Sequence, residues 1–426
     1  MDEEMQALYE NQTWALVPLP SDKNLSTETL SFLVMLSLVA LGLCRSVASQ
    51  AGVFDVTAYG AVGDANTDDS PAFVKAWSAA CGASGASTLI IPSQKTFRLK
   101  PLELTGKCTA STIQIQIDGN LVAPNTREAF GQASKWILIH SVDSLTITGS
   151  GQLDGQGAIW WPKNCFHRKL QGCPVDFSRP TLLSFESCNN LKLSGTWKLI
   201  NSPRNHISVD DCNNVNISQI GISAPGYSPN TDGINIGKSN HLSISNLNIA
   251  SGDDCISILS GVSDVNITSV TCGPGHGISI GSLGEGNREA FVSQINVEHC
   301  TFDKTQNGAR IKTRPGGSGY AKNIGFRHLE MKEVEHPILI DQYYSDTMNT
   351  SSAVAVSEVD FLDIRGTGVK EQVVSLACSL SIPCQAIRLS EVYLATTVPG
   401  KTASAYCLKV DGPPCTNCSP IISIPC

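Results

Sequence analysis

The sequence predicts an all-β protein, a right-handed parallel β-helix with a short N-terminal capping helix. Two observations support this fold class: apolar residues recur in pairs two positions apart, and the helical period disappears after Cys81. After a first gap of 46 residues, the pairs follow one another every 23–35 residues. The nine pairs are Leu145/Ile147, Leu191/Leu193, Val215/Ile217, Leu242/Ile244, Val265/Ile267, Ile295/Val297, Ile324/Phe326, Val359/Phe361 and Ile387/Leu389.

One such unit cannot bury its apolar face alone, so we expect the units to stack around a common core. A polar Asn, Ser, Asp or Gln often precedes the alternating residues. A leucine-rich repeat would show a Leu/Asn consensus, which is missing, and a propeller needs blades of about 40 residues. The period therefore favours the parallel β-helix.

The first 49 residues are expected to lie outside the folded domain. Residues 30–43 form an apolar run of 14, followed by the small residues 46–49, which predicts a signal peptide over 30–49 cleaved near Ala48 or Ser49. A signal-anchor helix is the alternative, although the run is short for a bilayer. Residues 50–426 then form a single β-helix domain.

Residues 1–29 are acidic where a signal peptide would begin with a short basic segment. Residues 1 to 25 resemble a fragment of a copia-type retrotransposon polyprotein. We therefore expect 1–29 to be a non-native or unstructured leader, in which residues 1 to 25 come from a misjoined gene model. A single spliced transcript carrying both segments would contradict this hypothesis.

Composition indicates an extracellular protein. Sixteen cysteines suggest an oxidising compartment, and Asn-X-Ser/Thr triplets at Asn216, Asn266, Asn349 and Asn417 fit a secreted glycoprotein. The net charge of -8 becomes -8 + 4 = -4 once residues 1–49 are removed. Without a basic stripe, we expect no nucleic-acid binding.

Both ends of the solenoid have predicted covers. Asp69 or Ser70 begins a helix, and its apolar face would cover the N-terminal end. We interpret the acids Asp68 and Asp69 as helix caps rather than as a catalytic pair. The cysteine-rich tail would cover the C-terminal end. The apolar face consists of Ala72, Phe73, Ala76, Trp77 and Ala80.

The 46-residue gap predicts an inserted loop around Trp160, Trp161, Cys165 and Cys173. Disulfide connectivity does not follow from sequence, but neighbouring cysteines suggest pairs. The suggested pairs are Cys81/Cys108, Cys165/Cys173, Cys255/Cys272, Cys378/Cys384, Cys407/Cys415 and Cys418/Cys426. The C-x-x-C spacing of Cys415 and Cys418 is instead typical of a disulfide loop, and less so of a metal site. Cys188, Cys212 and Cys300 lie beside repeat strands and are expected to be buried thiols.

Charged residues gather between positions 230 and 312. Asp232 precedes Asp253 by 21 residues, and Asp254 precedes His276 by 22, which predicts three successive coils about 4.8 Å apart. Arg310 and Lys312 come one coil later and, two positions apart on a strand, point the same way.

A structural ladder of polar turn residues is the alternative explanation, but acids held this close repel one another. Clustered carboxylates suit glycoside hydrolysis, which needs one protonated and one ionised group. His276, between Gly275 and Gly277, would hold or share the proton of the acid. Arg310 and Lys312 would bind an anionic sugar.

Four segments carry a family resemblance: NTDG at 230–233, GDD at 252–254, GHG at 275–277 and RIK at 310–312. In this order and spacing they resemble the signature motifs of polygalacturonases, family 28 of the glycoside hydrolases. The similarity is closest to the plant members and covers nearly all of residues 50–426. It implies a right-handed parallel β-helix and an inverting, metal-independent hydrolysis of α-1,4-galacturonosyl linkages in pectin homogalacturonan.

The resemblance also implies roles for the acids. Asp253 would be the general acid, Asp232 with Asp254 would activate the water, and His276 would assist the acid. Inversion rests on the resemblance, since the coil spacing does not distinguish the inverting carboxyl separation from the retaining one.

Substrate binding is implied for Asn230, Arg310, Lys312 and Tyr344, the last matching the tyrosine of the family's Asp-Gln-X-Tyr segment. Two departures stand out. Arg314 occupies a position where plant relatives usually carry tryptophan, which leaves subsite preference open, and Ser345 replaces a frequent cysteine.

The resemblance implies no cofactor and no metal, with pectin or polygalacturonate as the partner. We expect a monomer secreted to the cell wall, with no membrane contact in the mature form. A rhamnogalacturonan hydrolase, a calcium-dependent pectate lyase and an inactive pectin-binding wall protein are the alternatives. Whether cleavage is internal or terminal depends on loops that close one end of the groove, so both stay open.

Overall fold

Parallel strands wrap around one apolar core in successive coils. The computed structural model describes residues 52–161, 179–344 and 352–426. Every strand pairing among these residues is parallel, and they lie in one unit, Ala51–Cys426. Residues 1–29, the predicted signal peptide at 30–49 and the suggested Cys165/Cys173 pair fall outside the described residues.

The strands are numbered here in chain order and divide into two sheets. Within the described residues, the larger sheet has nineteen strands and the smaller sheet has eleven. The larger sheet contains β1 Val53–Asp55, β2 Asp64–Asp68, β3 Gly85–Ile91, β4 Thr96–Arg98, β6 Ala110–Ile117, β7 Asn120–Val122, β9 Leu145–Gly149, β10 Gln152–Asp154, β12 Asn189–Leu193, β13 Lys198–Ile200, β15 Asn213–Ser218, β16 Gly221–Ser223, β18 Asn240–Ala250, β20 Val262–Cys272, β22 Glu289–Glu298, β23 Thr301–Asp303, β25 Ser318–Val334, β27 Ala353–Gly368 and β29 Gln385–Thr396. The smaller sheet contains β5 Leu102–Thr105, β8 Lys135–His140, β11 Thr181–Glu186, β14 Ile207–Asp210, β17 Ile234–Gly237, β19 Ile256–Ile258, β21 Ile278–Leu283, β24 Asn307–Thr313, β26 His336–Asp341, β28 Gln372–Ala377 and β30 Ser404–Leu408.

The predicted repeat matches the coils. All nine apolar pairs lie on the larger sheet, and members from adjacent coils pair in register, as Leu242 does with Val265 and Val265 with Ile295. Their side chains are buried in the core. The fold is therefore a right-handed parallel β-helix, as the sequence predicts.

The residue before each pair lies at a corner of the coil and is polar at eight of the nine positions. At all nine positions φ is positive, between 53° and 58°. Asn and Asp tolerate this left-handed conformation better than most residues, which explains why polar side chains recur there. The nine corner residues are Ser144, Asn190, Asn214, His241, Asp264, Gln294, Asn323, Glu358 and Ala386.

Helix α1, Ser70–Gly82, packs against β1 and β3 at the N-terminal end of the solenoid. All five residues of its predicted apolar face are buried. Asp68 accepts a hydrogen bond from the Ser70 N–H (3.2 Å), as a cap should. Asp69 instead accepts from the N–H groups of Val62 (2.7 Å) and Gly63 (3.1 Å). The prediction that both acids cap the helix is thus wrong for Asp69, whose buried carboxylate holds the preceding loop.

The tail covers the last coil, where Ile422 and Ile424 enter the core. The suggested pairs Cys407/Cys415 and Cys418/Cys426 are wrong. Cys407 pairs with Cys426, and Cys415 pairs with Cys418 in the disulfide loop that the C-x-x-C spacing also indicates. The chain end returns beside β30, and the Cys426 N–H donates to the Val410 carbonyl (3.0 Å). That return brings Cys426 to Cys407, and sequence order does not encode it.

Three predicted disulfides are confirmed, Cys81–Cys108, Cys255–Cys272 and Cys378–Cys384. The three remaining described cysteines are free and buried, as expected: Cys188, Cys212 and Cys300. Within the described part of the chain, no helix has the length and apolarity that a membrane crossing requires.

Candidate active site

The coil register brings the motif residues together on the smaller sheet. Ile234 pairs with Ile256 and Ile256 with Ile278, so the residues two positions earlier occupy equivalent places on three neighbouring coils. Those residues are Asp232, Asp254 and His276. The prediction of three successive coils is confirmed.

Glycines in the motifs allow the coils to approach closely. A Cβ at Gly277, where φ is +86°, would lie 2.1 Å from the Asn307 carbonyl oxygen. A Cβ at Gly233 would lie 2.4 Å from the Cys255 carbonyl oxygen. Larger residues at either position would push apart the coils that carry the acids.

Asp254 lies in a buried ion cluster. Its Oδ2 accepts from Lys312 Nζ (2.7 Å), and its Oδ1 accepts from Arg310 Nη2 and from Ser279 Oγ (2.9 Å). Arg310 Nε in turn donates to Ser279 Oγ (2.8 Å). Asp254 is 1% exposed, and the two cations are 5% exposed. Two positive charges therefore contact the two oxygens of the buried Asp254 carboxylate.

Asp253 is held by two side chains from neighbouring coils. His276 Nδ1 lies 2.9 Å from its Oδ1, and Asn230 Nδ2 donates to its Oδ2 (3.1 Å). The His276 backbone N–H also donates to the Asp253 carbonyl (2.7 Å). The His276 side chain is 31% exposed, so this pair connects a buried acid to solvent.

Asp232 has a different electrostatic environment. Burial, followed by the negative charges of Asp253 and Asp254, raises the pKa of Asp232 well above its usual range. Lys312 offsets only part of this effect. The cluster therefore combines a carboxyl whose raised pKa favours its protonated form with a carboxylate that contacts two cations.

Tyr344 lies beside three cations. Its ring centroid is 5.1 Å from Lys312 Nζ, 5.5 Å from Arg314 Cζ and 6.0 Å from Arg310 Cζ. Arg314 also pairs with Glu285 at 3.3 Å. All eight predicted site residues are thus connected. Arg310, Lys312 and Arg314 together form a positive patch around the Tyr344 ring.

Three residues of the site were missed by sequence reasoning. Ser279 bridges Asp254 and Arg310, and Arg179 Nη2 donates to Asn230 Oδ1 (2.6 Å). His206 is fully buried beside the Asp232 carbonyl, and burial lowers its pKa to about 4. The alternation that places Arg310 and Lys312 on one side also places Ser279 there, but Arg179 and His206 had no comparable signal.

A groove of about 390 Å³ opens beside His276, with Lys304, Gln306 and Glu333 among its lining residues. It offers space for a bound molecule next to the Asp253–His276 pair.

Asp253, Asp254 and His276 carry possible metal-ligand atoms within 4.8 Å of one another. The surroundings do not fit a cation, because Arg310 and Lys312 contact both oxygens of Asp254. A metal ion at this position would meet two positive charges.

Residues 81–418 match the family model for glycosyl hydrolases family 28. A probable polygalacturonase of Arabidopsis thaliana is 45% identical over 372 residues, covering 85% of this chain and 79% of that protein. Polygalacturonase-2 of Solanum lycopersicum is 40% identical, with 84% and 78% covered, and an exopolygalacturonase of Zea mays is 40% identical, with 85% and 88% covered.

Solved structures support the fold. An exopolygalacturonase from Thermotoga maritima aligns with a TM-score of 0.71 at 21% identity, covering 86% of this chain and 91% of that one. An endo-xylogalacturonan hydrolase from Aspergillus tubingensis aligns with a TM-score of 0.72 at 24% identity, covering 86% and 99%.

Proposed function

The chain belongs to glycosyl hydrolases family 28, and on that premise we propose that it hydrolyses α-1,4-galacturonosyl linkages of pectin homogalacturonan. One observation carries the proposal: neighbouring coils hold acids in different surroundings, since burial and two nearby acids raise the pKa of Asp232, whereas Asp254 contacts two cations. Glycoside hydrolysis needs a protonated and an ionised carboxyl at one pH, and repulsion among close acids supplies both.

Asp253 acts as the general acid. Its proton goes to the glycosidic oxygen as the bond between that oxygen and the anomeric carbon breaks. Asp232 with Asp254 takes a proton from water, whose oxygen attacks the anomeric carbon from the opposite face. The new bond forms opposite to the old one, so the configuration inverts.

The raised pKa of Asp232 is compatible with these roles because Asp232 and Asp253 are electrostatically coupled. In the proposed mechanism the two carboxyls share one proton, because a proton on either one relieves the repulsion between their negative charges. With the proton on Asp253, Asp232 is ionised and can accept a proton from water. After each turnover Asp232 releases to solvent the proton that it took from water. His276, half-buried and bonded to Asp253, passes a proton from solvent to Asp253, so the pair again holds one proton.

The positive patch selects an anionic sugar. Asp254 and Ser279 engage two of the five N–H donors of Arg310 and one of the three on Lys312. The remaining donors bind a galacturonate carboxylate, with Tyr344 and Asn230 beside the sugar. Arg314 adds a further positive charge next to Tyr344 and strengthens the preference for de-esterified pectin.

We also propose that the enzyme is a monomer secreted to the cell wall, without a nucleic-acid or membrane partner. Five disulfides among the described residues fit an oxidising compartment. Asn216, Asn266 and Asn417 are exposed, as glycosylation acceptors must be.

The test is incubation of the purified protein with polygalacturonate. We expect reducing ends to be released without a rise in ultraviolet absorbance, at a rate that a chelator does not change. Proton NMR of the first product should show the β-anomer, and product sizes over time distinguish internal from terminal cleavage. An absorbance rise that a chelator abolishes would instead identify a lyase, and a retained α-anomer would contradict the mechanism.

A further inference from the structure

Arg179 connects three coils beneath the acid cluster. It lies two residues before β11, is 8% exposed, and donates from Nη1 to the carbonyl oxygens of Pro229 (2.6 Å) and Pro203 (3.4 Å). Its Nη2 donates to Asn230 Oδ1 (2.6 Å). The guanidinium therefore contacts both the backbone before the NTDG motif and the first side chain of that motif.

The nitrogen of the Asn230 side-chain amide contacts Asp253. Asn230 Nδ2 donates to Asp253 Oδ2 at 3.1 Å. A guanidinium can only donate hydrogen bonds, so it requires the amide oxygen on its own side. A flipped amide would place two donors face to face at Arg179 and two acceptors face to face at Asp253. The contact with Arg179 thus fixes which end of the amide faces the acid.

We propose that Arg179 is a positioning residue that orients the Asn230 amide toward Asp253. The inference rests on the proposed function in taking Asp253 as the acid. With His276 on Oδ1 and Asn230 on Oδ2, both oxygens of Asp253 are held. An N–H donor also favours the ionised carboxylate, which helps Asp253 release its proton to the leaving oxygen.

The first test is Arg179→Met assayed on polygalacturonate. We expect kcat to fall about 100-fold, as a misplaced catalytic group does, with KM nearly unchanged. The alkaline limb of the pH–rate profile should move to higher pH, because Asp253 loses a donor that stabilises its ionised form. A merely structural arginine would not displace that limb.

Arg327→Met is the matched control. Arg327 likewise donates to an asparagine oxygen, that of Asn296, and bonds Asp360 (3.1 Å), but it lies on the larger sheet. We expect Arg327→Met to leave kcat and the pH–rate profile unchanged. Equal effects from the two arginines would overturn the proposal.

A double-mutant cycle tests whether Arg179 acts on Asp253 through the Asn230 amide. If Arg179 acts through the amide, Arg179→Met should add little to the loss that Asn230→Ala already causes. Additive losses would overturn the proposal. If Arg179→Met does not fold, Arg179→Lys takes its place in the cycle, since it keeps the charge but not the forked pair of donors.

A crystal structure of the folded Arg179 variant gives a readout that does not depend on activity. We expect the Asn230 amide to leave Asp253. An amide still bonded to Asp253 would overturn this inference even if the wild-type protein hydrolyses polygalacturonate. A wild-type protein that releases no reducing ends would instead remove the proposed function and leave the crystallographic test of the amide in place.

Discussion

Two ladders of charged side chains cross the same stack of coils, one on each sheet. On the larger sheet, Asp360 bonds Arg388 on the next coil (2.6 Å) and Arg327 on the preceding one (3.1 Å). On the smaller sheet, Asp254 bonds Arg310 and Lys312. Both ladders join one aspartate to two cations on other coils: Asp360 to the coils on either side, and Asp254 to the coil two further on.

Burial separates the two ladders. The Arg388 side chain is 63% exposed, whereas those of Arg310 and Lys312 are 6% and 7% exposed. Exposed pairs contribute about 0–1 kcal/mol, while removing one partner of a buried pair costs about 3–5 kcal/mol. The larger sheet thus has the structural ladder expected of any solenoid surface. The smaller sheet accumulates electrostatic strain that a purely structural surface has no reason to accept.

The largest effect on stability is expected from Lys312→Met. The change leaves a buried carboxylate with one cation, so the free energy of unfolding should fall by about 3 kcal/mol, with hydrolysis largely lost. Lys332→Met is the control, because Lys332 pairs with Glu330 at 3.0 Å on the exposed face. Urea unfolding of both variants measures the difference. Equal losses of stability would contradict the comparison.

A second effect follows from the neutral His206 beneath Asp232. The pKa of His206 in the folded protein is about 4, below the usual 6.5. Between pH 6.5 and 4 the unfolded chain therefore binds a proton at His206 that the folded protein does not bind. Stability is fully present above pH 6.5 and should fall by about 3 kcal/mol as the pH drops to 4. Asp232 acts in the opposite direction, since its raised pKa makes the folded state bind the extra proton.

His206→Gln should flatten the fall in stability between pH 6.5 and 4, as measured by denaturant unfolding at a series of pH values. His241→Gln, at an exposed histidine of the larger sheet, should leave the fall unchanged. If the free energy of unfolding falls equally steeply with decreasing pH in both variants, a group other than His206 causes the fall.

The third effect concerns two histidine–aspartate pairs of nearly equal geometry. His276 Nδ1 lies 2.9 Å from Asp253, and His328 Nδ1 lies 3.0 Å from Asp363 on the larger sheet. We expect His276→Gln to lower kcat about 100-fold, the low end for loss of a proton-transfer group, while stability barely changes. His328→Gln should leave kcat unaltered. A similar kcat for the two variants would remove His276 from the mechanism.

The sequence predicts what local pattern controls. The apolar face of α1, from Ala72 to Ala80, follows from helical spacing, and the alignment of Asp232 with Asp254 follows from a coil length near 22 residues. The recurrence of polar residues before the apolar pairs, such as Asn214, is also visible in the sequence. The left-handed backbone at these corners explains it.

Contacts made by chain segments that return from a distance were not predictable. Cys426 reaches Cys407 only because the tail folds back over the last coil. Asp69 turns from its helix toward Val62, and Arg179 reaches Asn230, 51 residues later in the chain. These partners depend on how loops close between coils, which neither motif nor period specifies.

The central claim is that the buried acid cluster around Asp253 and Asp254 performs catalysis and that the exposed ladder around Asp360 does not. It is tested most directly by the rate of reducing-end release from polygalacturonate by Asp253→Asn and Asp360→Asn. We expect Asp253→Asn to lower kcat by about 1,000-fold, because the amide cannot protonate the leaving oxygen, and Asp360→Asn to retain the wild-type rate. Equal rates for the two variants would contradict it.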